Sequence, residues 1–373
     1  MELITKLVRA GLPEPPEKLP AGAPMHPGPV FASAFSAPGD PAASAYTYAR
    51  FNHPTWRELE LALGTLEGGA ALIFPSGMAA ILAVFATLLR PGDTVALPAD
   101  SYYTTRKLTS EFFAPLGIHT RTALTANNAQ AELLGGAQLL WLETPSNPGM
   151  DVCDIRLLAD LAHRQGALVA VDNTTPTALG QQPLALGADI SVASDTKSLT
   201  GHSDLVLGHV AVRDAELAQR IEHWRTLSGS IVGPMEAWLA LRSLATLPLR
   251  LERQSQNALA IAEFLRTHRE VRAVYYPGLP NHPGHAVARQ QMRHFGPVVS
   301  FELADRRRAE RFLNASNLLV EASSFGGIVS TAERRARWGG DNVSEGFIRL
   351  SAGCEAVEDL LADLKQALSA AAA

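Results

Sequence analysis

Ser191-Val192-Ala193-Ser194-Asp195-Thr196-Lys197-Ser198-Leu199-Thr200-Gly201-His202-Ser203-Asp204 is the stretch on which the fold of this chain turns. The apolar run Ile190 to Ala193 predicts a short buried strand, and just past it comes a lysine with hydroxyls at Ser194, Thr196 and Ser198 around it. A lysine so placed is either a solvated loop residue or an amine held in a pocket. What stands at the ends of the other predicted strands decides between them.

Further strand candidates are Thr94 to Leu97, Gln138 to Leu142, Leu168 to Val171 and Val206 to Val212, with helical stretches such as Ile155 to Arg164 between several of them. That alternation predicts an α/β fold with a largely parallel sheet covered by helices on both faces. Glu143-Thr144-Pro145-Ser146-Asn147-Pro148 follows the Gln138 strand, and Asp172-Asn173-Thr174-Thr175 follows the Leu168 strand. Ligands of open α/β sheets bind outside the carboxyl ends of the strands, so an amide, a carboxylate and an amine are expected in one crevice. Upstream, Phe74-Pro75-Ser76-Gly77-Met78-Ala79-Ala80 runs into the apolar stretch Ile81 to Leu89. Ser76 suits an N-cap and Gly77 allows close backbone approach, so the first turn offers free amides to an anion. A helix apolar on all sides is a buried one.

The chain has 373 residues, 47% apolar and 18% charged, enough for a substantial core in two domains or one large domain with an appendage. A net charge of −5 with dispersed Lys and Arg argues against nucleic acid as a partner and leaves a small anion as the expected charged ligand. Cys153 and Cys354 are too few for a disulfide framework or a cysteine-based zinc site. Without a signal-peptide core or an apolar run of about 18 residues, the chain is expected to be cytoplasmic with no membrane partner. Residues 1–45, which include Pro13, Pro15, Pro16, Pro20, Pro24, Pro27 and Pro29, are expected to form an arm over the surface or over a partner subunit. Residues 46–230 form the predicted α/β cofactor domain, with a helix opening at Pro54 to Thr55. Residues 231–373 form a smaller α+β domain. In it Trp238 to Leu244 and Asn257 to Leu265 read as helices joined by Pro248-Leu249-Arg250. Val298 to Leu303 and Phe347 to Ser351 read as strands, Val357 to Ala370 as a helix, and the tail Ala370 to Ala373 as frayed.

A pocket holding a lysine, a carboxylate on a buried strand end, hydroxyls, a helix N-terminus and an arginine suits pyridoxal 5′-phosphate. The lysine binds the aldehyde, the carboxylate keeps the pyridine nitrogen protonated, and the rest neutralise the phosphate. No Gly-x-Gly-x-x-Gly follows a strand and no Gly-x-x-x-x-Gly-Lys occurs, against dinucleotide and nucleotide ligands. His202, His209 and His223 are spaced unlike a metal-ligand set and are expected to be structural.

From Tyr46 to the last helix, the chain resembles the Cys/Met-metabolism family of pyridoxal-phosphate enzymes, the cystathionine γ-lyases, γ-synthases and β-lyases and their methionine γ-lyase relatives. The resemblance rests on Tyr-x-Tyr-x-Arg…Asn-x-Pro-Thr at Tyr46, Ser-Gly-Met-Ala-Ala at Ser76, Glu-Thr-Pro-Ser-Asn-Pro at Glu143 and Asp-Asn-Thr at Asp172. It continues with Ser-x-Thr-Lys…Gly-His-Ser-Asp at Ser194, Tyr-Pro-Gly-Leu-Pro…His-Pro-Gly-His at Tyr276 and Arg-Leu-Ser-x-Gly at Arg349. It implies the type I fold of pyridoxal-phosphate transferases. It also implies Lys197 as the cofactor-bearing lysine that moves protons, and Asp172 as the partner of the pyridine nitrogen. Tyr102 would stack on the ring and share in catalysis, and Asn147 would touch the ring hydroxyl. Gly77, Met78, Ser194 and Thr196 would hold the phosphate in the same subunit, and Thr174 counts among the cofactor contacts. Tyr48 and Arg50 would reach the phosphate of a neighbouring subunit in a homotetramer built as a dimer of dimers. Arg349 with Ser324 would bind the substrate α-carboxylate, and Ser323 would face its distal end.

Three departures stand out. Tyr103-Thr104 replaces the usual Gly-Gly, Gly326-Gly327-Ile328-Val329-Ser330 lacks the family's glutamate, and the arginine-rich Thr331 to Gly339 is short and lacks Met-Thr-His. The implied activity is carbon–sulfur lyase chemistry, cystathionine γ-lyase first, with γ-synthase or β-lyase as alternatives. A pyridoxal-phosphate aminotransferase and an inactive scaffold of the same fold are further alternatives.

Overall fold

In the computed structural model, which describes residues 1–13 and 17–372, the chain folds around two sheets. Pro15 and Pro16 of the arm and the terminal Ala373 lie outside the described residues. The arm begins with α1 (Leu3–Val8), whose Leu7 is buried among residues of the chain's own core. Farther on, Trp238 Nε1 donates to Pro27 O at 2.7 Å, and Val30 N donates to Thr55 Oγ1 at 3.1 Å. Much of the arm is thus fastened to its own subunit.

α2 (Pro54–Glu67) starts as expected, with Pro54 in its first turn and the His53 ring accepting from Thr55 N, and stops at Gly68 with φ +76°. β1 (Ala70–Phe74) and α3 (Gly77–Leu88) follow, then β2 (Thr94–Pro98), α4 (Tyr103–Lys107), β3 (His119–Ala123), β4 (Leu139–Glu143) and α5 (Ile155–Arg164). β5 (Leu168–Asp172), α6 (Thr177–Gly180), β6 (Ile190–Ala193), β7 (Gly208–Val212) and α7 (Ala215–Ser228) complete the first layer set. The strand order is β1-β7-β6-β5-β4-β2-β3, parallel from β3 through β6, with β7 antiparallel to both neighbours. Side chains of β1 alternate between the two faces: Ala71 and Ile73 pack with Leu59, Leu63 and Leu66 of α2, whereas Leu72 and Phe74 pack with Val84 and Phe85 of α3.

The second sheet gathers β8 (Ala273–Tyr275), β9 (Val298–Glu302), β10 (Val320–Glu321), β11 (Thr331–Arg334) and β12 (Phe347–Ser351). Around it run the later turns of α9 (Leu247–Thr267), α11 (Arg306–Ala315) and α12 (Val357–Ala372), whereas α8 (Pro234–Leu244) and the start of α9 pack with α2 and α10 (His285–Gln291) packs against Val152 and Met292.

The structure corrects several sequence expectations. β1 and β3 were not among the strand candidates; β3 is an exposed edge strand of His, Thr and Arg, with no apolar alternation to reveal it. The Val206 strand starts only at Gly208. Pro248-Leu249-Arg250 is not a joint but lies inside α9, because a proline in the first helical turn removes no bond the helix would make. α12 does not fray at Ala370, since Ala371 is buried against the second core.

Three backbones meet where the site is built. A Cβ at Gly208 of β7 would stand 2.7 Å from N and Cα of Gly77, and a Cβ at Gly77 would stand 2.6 Å from Cβ of Ser194. Gly208→Ala is therefore expected to cost about 1–3 kcal/mol through overpacking. Gly28→Ala, where nothing lies within 4 Å of the added atom, should stay within about 0.5 kcal/mol of the parent in thermal denaturation.

Candidate active site

Outside the carboxyl ends of β4, β5 and β6 lies a cavity of about 330 Å³ reached by residues of both sheets. From the lysine loop, Ser194, Thr196 and Lys197 line it. Lys197 Nζ donates to Ser324 Oγ at 3.0 Å and lies 5.4 Å from the Phe325 ring centroid. Burial, with the Arg349 charge adding to it and Glu333 opposing, pushes the Lys197 ammonium down to about 8. An amine with that value is partly unprotonated near neutrality, as a nucleophile needs to be.

Asp172 and Glu143 are register partners on adjacent strands, both buried at the cavity floor. Asp172 accepts from Thr174 N at 3.1 Å; burial pushes its carboxyl up, against hydrogen bonds from Thr174. Burial, then the Asp172 charge, pushes Glu143 well above the usual carboxylate range. Sequence reasoning gave Glu143 no role. Its carboxylate accepts from Tyr102 N at 2.6 Å and Asn147 N at 3.0 Å, and so fixes two cavity segments at once.

The first turn of α3 brings Gly77 and Met78 to the cavity. Ser76 Oγ accepts from Ala79 N at 3.0 Å, so the cap leaves the first amides of the turn free of intrahelical partners. Their partial positive charge and the Ser194 and Thr196 hydroxyls, which the lack of a side chain at Gly77 lets pack close to the turn, suit a phosphoryl group.

Arg349 stands on β12 at the opposite wall, almost wholly buried. Its Nη1 donates to Asn147 Oδ1 at 2.9 Å, and its Nη2 donates to Ser323 O and Glu333 Oε1, each at 2.5 Å. Ser323 thus meets the site through its backbone as well as by lining the cavity. Glu333 also accepts from Arg335 Nη1 at 2.7 Å, Trp338 Nε1 at 2.7 Å and Arg337 Nη2 at 3.3 Å. Burial would raise its carboxyl, but Arg349, the Trp338 N–H and Arg335 hold it below the usual value. Burial lowers Arg349 to about 10 with Glu333 opposing, which leaves it charged at neutral pH.

Arg335 and Trp338 line the cavity together with Tyr103. No site residue had been expected in that segment; the signal was the cluster Arg334-Arg335-Ala336-Arg337-Trp338 itself. Tyr48 and Arg50 lie away from this cavity: Arg50 Nη1 donates to Thr226 O at 2.9 Å, and its guanidinium sits 4.8 Å from the Phe51 ring, beside an exposed Tyr48.

A family profile described as Cys/Met metabolism PLP-dependent enzyme matches residues 5–369. The chain is 56% identical to a Streptomyces coelicolor protein named "Putative cystathionine gamma-lyase", over 98% of this chain and 93% of that one. It is 41% identical to a Mycobacterium tuberculosis cystathionine gamma-synthase, over 87% of this chain and 86% of that one. Among solved structures, Xanthomonas oryzae cystathionine gamma-synthase in complex with cystathionine superposes with a TM-score of 0.95 at 37% identity, covering 100% of this chain and 99% of that one.

The lowered Lys197 value has a direct consequence for cofactor capture. In protein freed of cofactor, the rate at which added pyridoxal phosphate forms its lysine-bound absorbance band should rise with pH and level off above about 8, as the ammonium loses its proton. A rise continuing to the ordinary lysine value of about 10.4 would show that the amine is not perturbed.

Proposed function

The chain belongs to the Cys/Met metabolism family of PLP-dependent enzymes, and we propose that it is a carbon–sulfur lyase whose preferred reaction is γ-cleavage of cystathionine. Pyridoxal phosphate is its cofactor, and the residues present fit it. Asp172 is a buried carboxylate with no cationic side chain among its hydrogen-bond partners within the described residues, as a protonated pyridine nitrogen requires. Gly77 lets Ser194 pack directly against the first turn of α3, which brings a hydroxyl beside the free amides there, and Lys197 is an amine of lowered basicity lining the same cavity. The observation that carries the reading is this Lys197 amine, held beside Ser324 within the reach of the Arg349 charge.

The cofactor, when bound, supplies an electron sink that makes the substrate Cα proton acidic. The chain's own residues supply the rest. Arg349 and Ser324 hold the α-carboxylate, a charge-assisted contact that sets which face of Cα is presented. Lys197, unprotonated, would take the substrate Cα proton and hold it for later return, and Tyr102, which lines the same cavity, would shield the bound cofactor from water. Cleavage of one C–S bond with uptake of one water then yields a thiol, an α-keto acid and ammonia. The γ-synthase reading uses the same residues with a thiol entering instead of leaving. It is favoured by the 41% identical relative and by the cystathionine complex of the superposing structure. An inactive scaffold is disfavoured by the presence of Lys197, Asp172 and Arg349 together in one cavity.

Tyr48, exposed, and Arg50, half-buried against Thr226, both away from their own cavity, serve in this reading as contacts to a neighbouring subunit's phosphate. Hybrids of Lys197→Ala and Arg50→Ala subunits would then regain activity that neither variant has alone. By resemblance the assembly is a homotetramer in the cytoplasm.

An amino-acid panel monitored for thiol, keto acid and ammonia tests the activity. Cystathionine is expected to release all three without an added acceptor. Turnover only of an activated homoserine with added cysteine would replace the lyase by the synthase, and keto-acid exchange without thiol release would indicate an aminotransferase.

A further inference from the structure

Lys197 follows a residue pattern that points two ways. Ser194, Thr196 and Lys197 line the cavity, whereas the side chain of Asp195 is fully buried beneath it. There Asp195 Oδ1 lies 2.7 Å from His209 Nδ1 of β7, and His209 Nε2 lies 2.9 Å from Oε1 of Glu67, the last residue of α2. His209, expected from sequence to be structural, is 1% exposed and thus wholly enclosed between two carboxylates. Burial alone would drive this imidazole neutral, but Asp195 and Glu67 push it up to about 10, so it carries its charge across the physiological range.

Resting on the cofactor reading above, we propose that Glu67, His209 and Asp195 form a buried ionic tether that aims the lysine loop at the cofactor, with Asp195 and His209 as positioning residues for its capture.

The two halves of the loop are held by different means. Downstream of the lysine, Arg250 donates from Nη1 to Ser198 O at 2.7 Å and from Nη2 to Leu199 O at 2.8 Å. Thr196 is tied to Leu207 through both its amide and its hydroxyl. Upstream, Ser194 N donates to Thr174 Oγ1 at 2.8 Å and Asp195 O accepts from the amide and hydroxyl of Thr200. The side chain that reaches down into the sheet is the Asp195 carboxylate, whose other oxygen, Oδ2, has no partner among the described residues, like Oε2 of Glu67. A buried ion group is a weak way to stabilise a fold, because apolar residues of similar volume commonly do as well. What charged hydrogen bonds supply is direction. With Asp195 held downward, Ser194 and Thr196 on either side of it line the cavity near the first turn of α3. The preceding residue of β7, Gly208, packs against Gly77. One dipeptide, Gly208-His209, therefore sets both the loop and the first turn of α3.

Asp195→Ala is the discriminating variant, since it frees the loop while leaving His209 and Glu67 as a charge-balanced pair. Pyridoxal phosphate affinity is read by absorbance titration of cofactor-free protein, and the thermal midpoint of that same protein is measured in parallel. Affinity should fall at least about tenfold, the scale of supporting-residue losses elsewhere. The loss of thermal stabilisation by added cofactor should exceed any loss in the cofactor-free protein. Asp195→Asn, which keeps the shape and one acceptor, should recover part of the affinity, and Glu67→Gln should have the smallest effect. If Asp195→Ala does not fold, Asp195→Asn alone decides, with weakened affinity supporting the tether. Unchanged affinity in a folded variant overturns it and leaves the triad a matter of stability only. Wild-type protein that fails to bind the cofactor would instead overturn the cofactor reading and the tether with it, so the two failures are distinguishable.

Discussion

A lysine amine attacks a carbonyl near neutral pH only if it is kept short of water and in the company of other positive charge, and that constraint governs how this chain is arranged around Lys197. The parallel sheet brings the loop after β6 to the ends of β4 and β5, where burial can be imposed. The second sheet then delivers Arg349 and Phe325 from across the cavity, so that charge and apolar cover arrive from a separate part of the chain. Neither sheet alone would make a nucleophile of this lysine.

Concentrating cations in a buried space creates its own problem, and Glu333 answers it. One carboxylate with no exposed surface accepts from Arg349, Arg335, Arg337 and Trp338, so the substrate-facing guanidinium is both neutralised in part and fixed in direction. Removing one member of such a set leaves an unpaired buried charge, which costs about 3–5 kcal/mol. The segment that departs most from the family pattern thus carries the pair that anchors the most family-like arginine. Glu143 does a comparable service on the other wall, holding the backbones of Tyr102 and Asn147 with its two oxygens.

Much of this was legible in the sequence because strand ends announce themselves. Apolar runs stop, and polar residues that a core would not tolerate begin, as at Glu143, Asp172 and Ser194. The parallel sheet and the cavity at its carboxyl edge follow from that punctuation. Apart from β1, whose Ala70–Phe74 run is apolar throughout, what escaped notice lacked a local signature. β3 is polar because it is an exposed edge, and α9 begins at a proline that looks like a break. The roles of Glu333, His209 and Glu67 depend on partners 16, 14 and 142 residues away, which no periodicity encodes. Long-range ionic pairing is the part of this site that only three dimensions disclose.

The account stands or falls on which lysine carries the cofactor. Borohydride reduction of the yellow protein, followed by peptide mapping, measures this directly. A single pyridoxyl adduct on Lys197, absent from the Lys197→Ala variant, is the result expected of an amine so buried and so placed. An adduct on another lysine, or a wild-type protein that neither absorbs nor labels, would contradict it.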